Sequence, residues 1–324
     1  MRELVIGAKI RPLLQILEAK RLYFALSRTP HGVIDLATPC LAALAVNGAF
    51  PPWWIVILGL VTAFSGYTAV YAINDIADYR IDRQRRLMMG AGGAGSLSGP
   101  RHDLDAVLMR HPLAEGALNL KQALLWAGLW SGIAVVGAAI LNPVCLMLFV
   151  AGCVLEIVYC RLLKISAYRS LVSGVVKTIG AMAAVFAVDP DPPPLFLLNL
   201  FLFLFFWEIG GQNIPNDWSD IEEDRAIGAK TFPVQLGRHK SAIVVFCSVC
   251  LALIFQTMTF LSGRAPFPAL SCVLALTAGV CLVLLPAIRL LISRDARAAM
   301  DLFNHGSYFP LSLLLIVVGT IVFR

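Results

Sequence analysis

The sequence predicts an all-α integral membrane protein with nine transmembrane helices, and three observations predict it. Of the 324 residues, 59% are apolar and 14% charged, against about 45–50% and ~25% in a soluble domain. Apolar runs near the ~20 residues needed to cross a bilayer recur along the chain. Lys and Arg gather in alternate joins between those runs. The mean hydropathy of +0.79 points the same way. A β-barrel would show alternating ten-residue segments, and this sequence has none.

Residues 1–30 come first. Ile6, Ile10, Leu13 and Leu17 would share one helical face, with Lys9, Arg11, Lys20 and Arg21 among and after them. The pattern predicts a basic amphipathic helix on the membrane surface, kinked at Pro12. It lacks the apolar run of a signal peptide. Residues 31–324 then read as a single nine-helix membrane domain. Its spans are expected at about 33–50, 53–73, 123–140, 142–160, 169–188, 194–212, 241–262, 268–288 and 307–323. Pro51-Pro52, Asn142-Pro143 and the DPDPPP stretch at 189–194 keep three joins tight.

The joins after the even-numbered spans carry nearly all the basic residues, while the others hold only Arg264, with Arg324 at the chain end. That bias places the N-terminus and the long polar loops, about 74–122 and 213–240, in the cytoplasm of a bacterial cell, and the C-terminus outside. It also accounts for the formal charge of +6, which therefore gives no support to a nucleic-acid partner.

One polar phrase is written twice. NDIADYRIDR runs from 74 to 83 and NDWSDIEEDR from 216 to 225, each directly after an apolar run. On a helix, residues three and four apart share a face. Asp75, Asp78 and Asp82 would therefore stack on one face, with Asn74 beside them, and Asp217, Asp220 and Asp224 on another, behind Asn216. Like charges so placed repel, and a divalent cation would offset the cost. Carboxylate oxygens suit Mg²⁺, which binds through one or two carboxylates plus substrate phosphates. Two such faces at one membrane side could hold a diphosphate between them.

These paired motifs resemble those of the UbiA superfamily of intramembrane prenyltransferases. The second copy continues with Gly228, Lys230-Thr231, Pro233 and Leu236-Gly237, similar to the family's tail. Arg28 with Pro30, HPLAEG at 111–116, and Tyr159 with Lys164 resemble further elements. The chain departs from the family at His111, where Arg is usual, and at Glu115, where Ser is usual. The resemblance implies a helical bundle around a central cavity with a lateral opening to lipid. It implies Mg²⁺-dependent transfer of a prenyl group from a polyprenyl diphosphate to a small acceptor. Carried over by position, Asn74, Asp78, Asp220 and Asp224 would contact the metal. Asp75, Asp82 and Asp217 would act in catalysis, activating the acceptor or supporting the metal ligands. Lys164, Arg161, Lys230, Arg225 and Tyr159 would bind the diphosphate, with Arg83 behind them. Arg28 and Lys177 would face the acceptor.

The KT in the second motif's tail resembles hydroxybenzoate- and naphthoate-type members, so a lipid-quinone aromatic acceptor is expected first. A tetrapyrrole carboxylate, a phosphorylated sugar or glycerol, or a carotenoid end comes next. An ion-coupled carrier would need acidic groups near the midplane, and an inactive scaffold would not need both motifs.

Other features are expected to be structural. Glu156, Lys177 and Glu208 fall in spans, where ionisable groups usually face a cavity or one another, so Lys177 is expected to pair with one of the glutamates. Cys247 and Cys250 read as packed core thiols. FLFLFFW at 201–207 reads as lipid-facing, and the glycine-rich stretch at 90–99 as a surface loop.

Overall fold

The computed structural model describes residues 20–89 and 108–324. Most of the expected N-terminal amphipathic helix (residues 1–19) and the glycine-rich stretch lie outside the described residues; residues 20–26 are helical. Among the described residues there is no strand, and nine helices are long and apolar enough to cross a membrane.

The first span is α1 (Thr29–Asp35) followed by α2 (Ala37–Asn47). The second is the single helix α3 (Trp53–Met89). Next come α4 (Leu120–Leu141), α5 (Pro143–Arg161) and α6 (Arg169–Val188). The sixth span begins as α7 (Pro194–Trp207), passes through a π-turn (Glu208–Asn213) and ends as α8 (Ile214–Ser219). A short helix, α9 (Ile221–Ile227), leads to α10 (Phe232–Ser262). The eighth span is α11 (Ala269–Gly279) and α12 (Leu285–Ser293), joined by a π-turn at Val280–Leu284. The ninth is α13 (Ala296–Ser307) and α14 (Phe309–Val322).

Local chemistry sets these boundaries. Asn119 and Gln122 form a reciprocal capping box at the start of α4. Asn142 caps α5 and also donates to the Phe186 carbonyl at 3.1 Å, tying that join to α6. Gly228 ends α9 at φ 74°, in the left-handed region that suits a residue without a Cβ. Several helices outrun the apolar segments that announce them. Hydropathy marks only the stretch at lipid depth, whereas α3 continues through the whole first motif to Met89 and α10 starts at Phe232.

The core lies between α2, α6, α7, α10 and α14, around Phe196, Phe203, Trp207 and Phe309. This corrects the expectation for residues 201–207. Phe203, Leu204 and Trp207 are buried in the bundle, because α7 packs against α10 on one side and α6 on the other. Cys247 is instead exposed and Cys250 half-buried, so the first is not a core thiol.

Candidate active site

The two motifs are built differently. Asn74, Asp75, Asp78 and Asp82 all lie on α3, as the helical spacing predicts. The second motif is not one ladder. Asp217 ends α8's apolar side, Asp220 sits at a break with φ −106° and ψ 10°, and Asp224 lies on α9. The helix breaks at Asp220 and re-forms as a second short piece. The carboxylates therefore look in from a corner and not from one face.

Both sets meet at one end of a cavity of about 460 Å³, lined there by Asn74, Asp78, Asp82, Asp217, Asp220 and Asp224. Cations hold the two motifs together. Arg85, on α3, donates from Nη2 to Asp224 Oδ1 at 2.8 Å, and its Nη1 is 3.6 Å from Asp82 Oδ1. Arg110 Nη2 donates to Asp220 Oδ2 at 2.8 Å. Arg169 Nη2 donates to Asp217 Oδ1 at 2.7 Å and stacks over the Tyr159 ring at 4.5 Å. His111 Nδ1 is 3.0 Å from both Asp75 Oδ1 and Asp82 Oδ2. Burial alone would lower the His111 pKa, but the Asp82 carboxylate and the hydrogen bonds to Asp75 and Asp82 outweigh it and raise the value. At the second motif, burial and then the Asp217 carboxylate push Asp224 up to about 7.

Several oxygens are buried and unpartnered: Asp75 Oδ2, Asp78 Oδ1, Asn216 Oδ1 and Asp217 Oδ2. Hard oxygen donors crowded in this way suit Mg²⁺. Asp75, Asp82 and His111 also bring ligand atoms within 4.8 Å of one another. The residues present thus fit a divalent cation.

Asn74 is held from two sides. Its amide donates to Glu156 Oε1 at 2.5 Å, and its oxygen accepts from Arg28 Nη2 at 3.4 Å. Glu156, expected as a partner of Lys177, serves Asn74 instead. Lys177 donates to Asp35 Oδ2 at 2.6 Å, an oxygen that also accepts from Tyr71 at 2.5 Å. Glu208 accepts from Ser173 at 2.7 Å. The expected pairing of Lys177 with a glutamate is therefore corrected: Asp35, on α1, reaches it across the bundle.

The structure does not bring every expected residue to the cavity. Arg161 is exposed, Lys164 donates to Gln84 at 2.9 Å, and Arg225 pairs with its neighbour Glu222 at 3.3 Å. The side chain of Lys230 is exposed, and these four are absent from the cavity lining. Tyr159, Arg28 and Lys177 do line it. The cations that sequence reasoning missed there are Arg85, Arg110 and Arg169. Arg85 was findable, because it stands three residues beyond Asp82 and so on the motif's own face. Arg83 points away, donating to Tyr79 at 3.2 Å. Asp35, Tyr71 and Asn213 carried no local signal.

The chain matches the family model described as the UbiA prenyltransferase family over residues 36–314. It is 25% identical over 248 residues to a 4-hydroxybenzoate octaprenyltransferase of Shewanella halifaxensis, covering 75% of this chain and 78% of that one. It is 21% identical over 244 residues to a digeranylgeranylglyceryl phosphate synthase of Methanoregula boonei, covering 74% and 77%. Its fold is similar to that of a UbiA homologue from Archaeoglobus fulgidus, solved bound to DMAPP and Mg²⁺. The TM-score is 0.63 at 15% identity, over 91% of this chain and 99% of the other.

Proposed function

The chain belongs to the UbiA prenyltransferase family and is a membrane prenyltransferase, and from that premise we propose its reaction. It transfers a polyprenyl group from the diphosphate to an electron-rich aromatic acceptor of hydroxybenzoate or dihydroxynaphthoate type, with Mg²⁺. The convergence of both Asn-Asp motifs on one mouth of a cavity that turns apolar along α3 below Tyr67 carries this reading. In it, the mouth faces the cytoplasm of a bacterial cell.

Asn74, Asp78, Asp220 and Asp224 would hold Mg²⁺, with Asp78 offering a buried oxygen that has no other partner. The ion would supply Lewis-acid stabilisation of the negative charge that grows on the diphosphate. Arg85, Arg110 and Arg169 line the same mouth and add fixed positive charge where it develops. Tyr159 holds Arg169 in register from beneath. Arg161, Lys164, Arg225 and Lys230 then serve at the polar rim, drawing the anionic headgroup in. The allylic C–O bond breaks with its electron pair leaving on the diphosphate oxygen, and a nucleophilic acceptor carbon bonds to the freed allylic carbon. The acceptor's proton passes to a carboxylate. Asp217, with an unpartnered buried Oδ2 at the cavity wall, is assigned that role, while Asp75, behind the lining, holds His111 against Asp82. Arg28 beside Asn74 orients the acceptor.

A second reading takes a glycerol phosphate as acceptor, the class named by the Methanoregula relative. The Lys177–Asp35 pair neutralises a cation that either anionic acceptor could otherwise meet.

The test is diphosphate release from geranylgeranyl diphosphate by purified protein in detergent, with and without Mg²⁺, against a panel of aromatic acids and glycerol phosphates. Release that needs Mg²⁺ and an aromatic acid, and falls about a hundredfold or more in Asp78→Ala and Asp220→Ala, is expected. Release that answers only to glycerol phosphates would move the assignment to the second reading. Release indifferent to Mg²⁺ would overturn the metal assignment.

A further inference from the structure

One carboxylate of the cavity wall lies outside both aspartate motifs and has no part in the reaction as described. Glu156 is the one acidic residue of α5, in a stretch that is apolar from Pro143 to Val158 around it. It is 8% exposed. Its short contact is to a neutral group: the Asn74 amide donates to Oε1 at 2.5 Å, with the Cys160 thiol at 4.0 Å. A buried carboxylate bonded to neutral donors is costly, and an ionisable group inside a span marks a functional position. Leu or Ala at 156 would pack α5 at lower cost.

The benefit lies in Asn74. Three contacts fix its carboxamide. Nδ2 donates to Glu156 and to Cys160 Sγ at 3.4 Å, while Oδ1 is turned toward Arg28 Nη2 at 3.4 Å. The Arg28 contact is long for a hydrogen bond, so the shorter one to Glu156 sets the orientation. Asn74, Asp78 and Glu156 all line the cavity, and Asn74 stands one turn before Asp78 on the same face of α3. The two ends of a carboxamide have nearly the same shape but opposite meaning for a cation. The oxygen is a ligand, and the NH₂ group repels the ion. Whether position 74 can bind a metal therefore depends on which end is turned away, and a carboxylate, having acceptors only, takes the NH₂ end.

We propose that Glu156 is a positioning residue for the divalent ion. By accepting from Nδ2 it leaves the Asn74 oxygen to the cavity, and its charge behind the amide makes that oxygen a better donor to metal. Carboxylates set behind a ligand do the same in other metal sites. The inference rests on the Mg²⁺ assignment above and deepens it with a residue that does not touch the ion. It also gives a reason for Asn at 74 and not a further Asp. A carboxylate there would meet Glu156 at the 2.5 Å contact with no proton between them.

The experiment reads metal binding apart from turnover. Heat stabilisation of the purified protein in detergent is followed against Mg²⁺ concentration, with geranylgeranyl thiolodiphosphate as an unreactive anion. The proteins are the parent, Glu156→Leu, Glu156→Gln, Asn74→Asp, and Asn74→Asp combined with Glu156→Gln. Glu156→Leu is expected to raise the Mg²⁺ midpoint about tenfold or more, and Glu156→Gln, which keeps an acceptor, by less. Turnover of geranylgeranyl diphosphate by Glu156→Leu should recover most of its kcat at saturating Mg²⁺, a split that a merely structural role would not produce. Asn74→Asp alone should also raise the midpoint. Adding Glu156→Gln should bring it back towards the parent, because the new amide donates to the new carboxylate and the net charge is the parent's.

A parent-like midpoint in a folded Glu156→Leu would overturn the role of Glu156 and leave the prenyl-transfer reading standing. So would an Asn74→Asp midpoint that is the same with and without Glu156→Gln. Where Glu156→Leu does not fold, this charge-conserving pair decides alone. A parent whose stability ignores Mg²⁺ would instead overturn the metal assignment on which the inference rests.

Discussion

Arg85 is the residue on which the two motifs depend most. Its side chain is 17% exposed and reaches Asp224, which is 3% exposed, as well as Asp82 and Glu223. Removing it leaves buried carboxylates facing one another without a counter-charge, a change that costs about 3–5 kcal/mol in buried pairs. Arg85→Ala should therefore lower the melting temperature in detergent and abolish turnover. Arg85→Lys, which keeps a charge but loses the guanidinium fork, should recover stability before it recovers activity. His111 invites a companion test, because the family usually has Arg there. His111→Arg should keep near-parental turnover by preserving a cation against Asp75 and Asp82, and His111→Ala should lose about tenfold or more through misplacement of those carboxylates; equal loss in both would overturn the charge argument. At this scale the shared helix of Asn74, Asp75, Asp78 and Asp82 was legible, because three-and-four spacing is a local property of the chain, and the corner made by Asp217, Asp220 and Asp224 was not. The cations were less so. Arg85 shared the motif's periodicity, but Arg110 and Arg169 reach their carboxylates across the bundle, and no spacing records that.

Elements show where periodicity stops informing. An α-helical reading of residues 208–217 assigns faces by 3.6 residues per turn, whereas the π-turn at Glu208–Asn213 widens the coil and shifts the phase. Glu208, Asn213 and Asp217 consequently all line the cavity. The turn persists because Gly210 lets α10 come close: a Cβ there would lie 2.8 Å from Ser248 Cβ and 2.9 Å from the Val245 carbonyl. Gly210→Ala should destabilise by about 1–3 kcal/mol, since backbone has to move. Gly128, in the middle of α4 with nothing within 4 Å, supplies the contrast. Gly128→Ala should be neutral or stabilising by up to about 1 kcal/mol. Thermal unfolding of the two variants side by side decides the point, and equal effects would show that the turn does not rest on this contact. The sixth span was legible as a span. Its π-turn and its broken end were not, since both come from packing against α10 and α13.

Across the whole molecule, the count and order of the spans were legible because hydrophobic length and basic bias are summed over many residues. The cavity was not, because its depth depends on which faces of α3, α5 and α6 meet. The end of the bundle away from the motifs is held by a different device. Arg264 donates to Asp189 Oδ2 at 2.5 Å and Oδ1 at 3.1 Å, and to the Asp191 carbonyl at 2.6 Å. Its backbone amide donates to the Val46 carbonyl at 2.8 Å. One residue thus ties the ends of α2, α6 and α10 together. The hydrogen bonds from Arg264 hold the Asp189 carboxyl below its ordinary pKa. A carboxyl depressed in the folded state contributes stability that is fully present above the unfolded value, about 3.9, and is lost as pH falls through the lower folded value. The pair is partly exposed and screened, so its effect is small. Asp189→Asn should lower the melting temperature by about 2 °C at neutral pH, with the gap closing only below the ordinary carboxylate range. The same series in high salt should shrink the neutral-pH gap, because solvent ions screen the exposed guanidinium. A gap that persists unchanged in strong acid would show that Asp189 acts through shape and not charge, and would place the clamp in the Arg264 contacts to Val46 and Asp191.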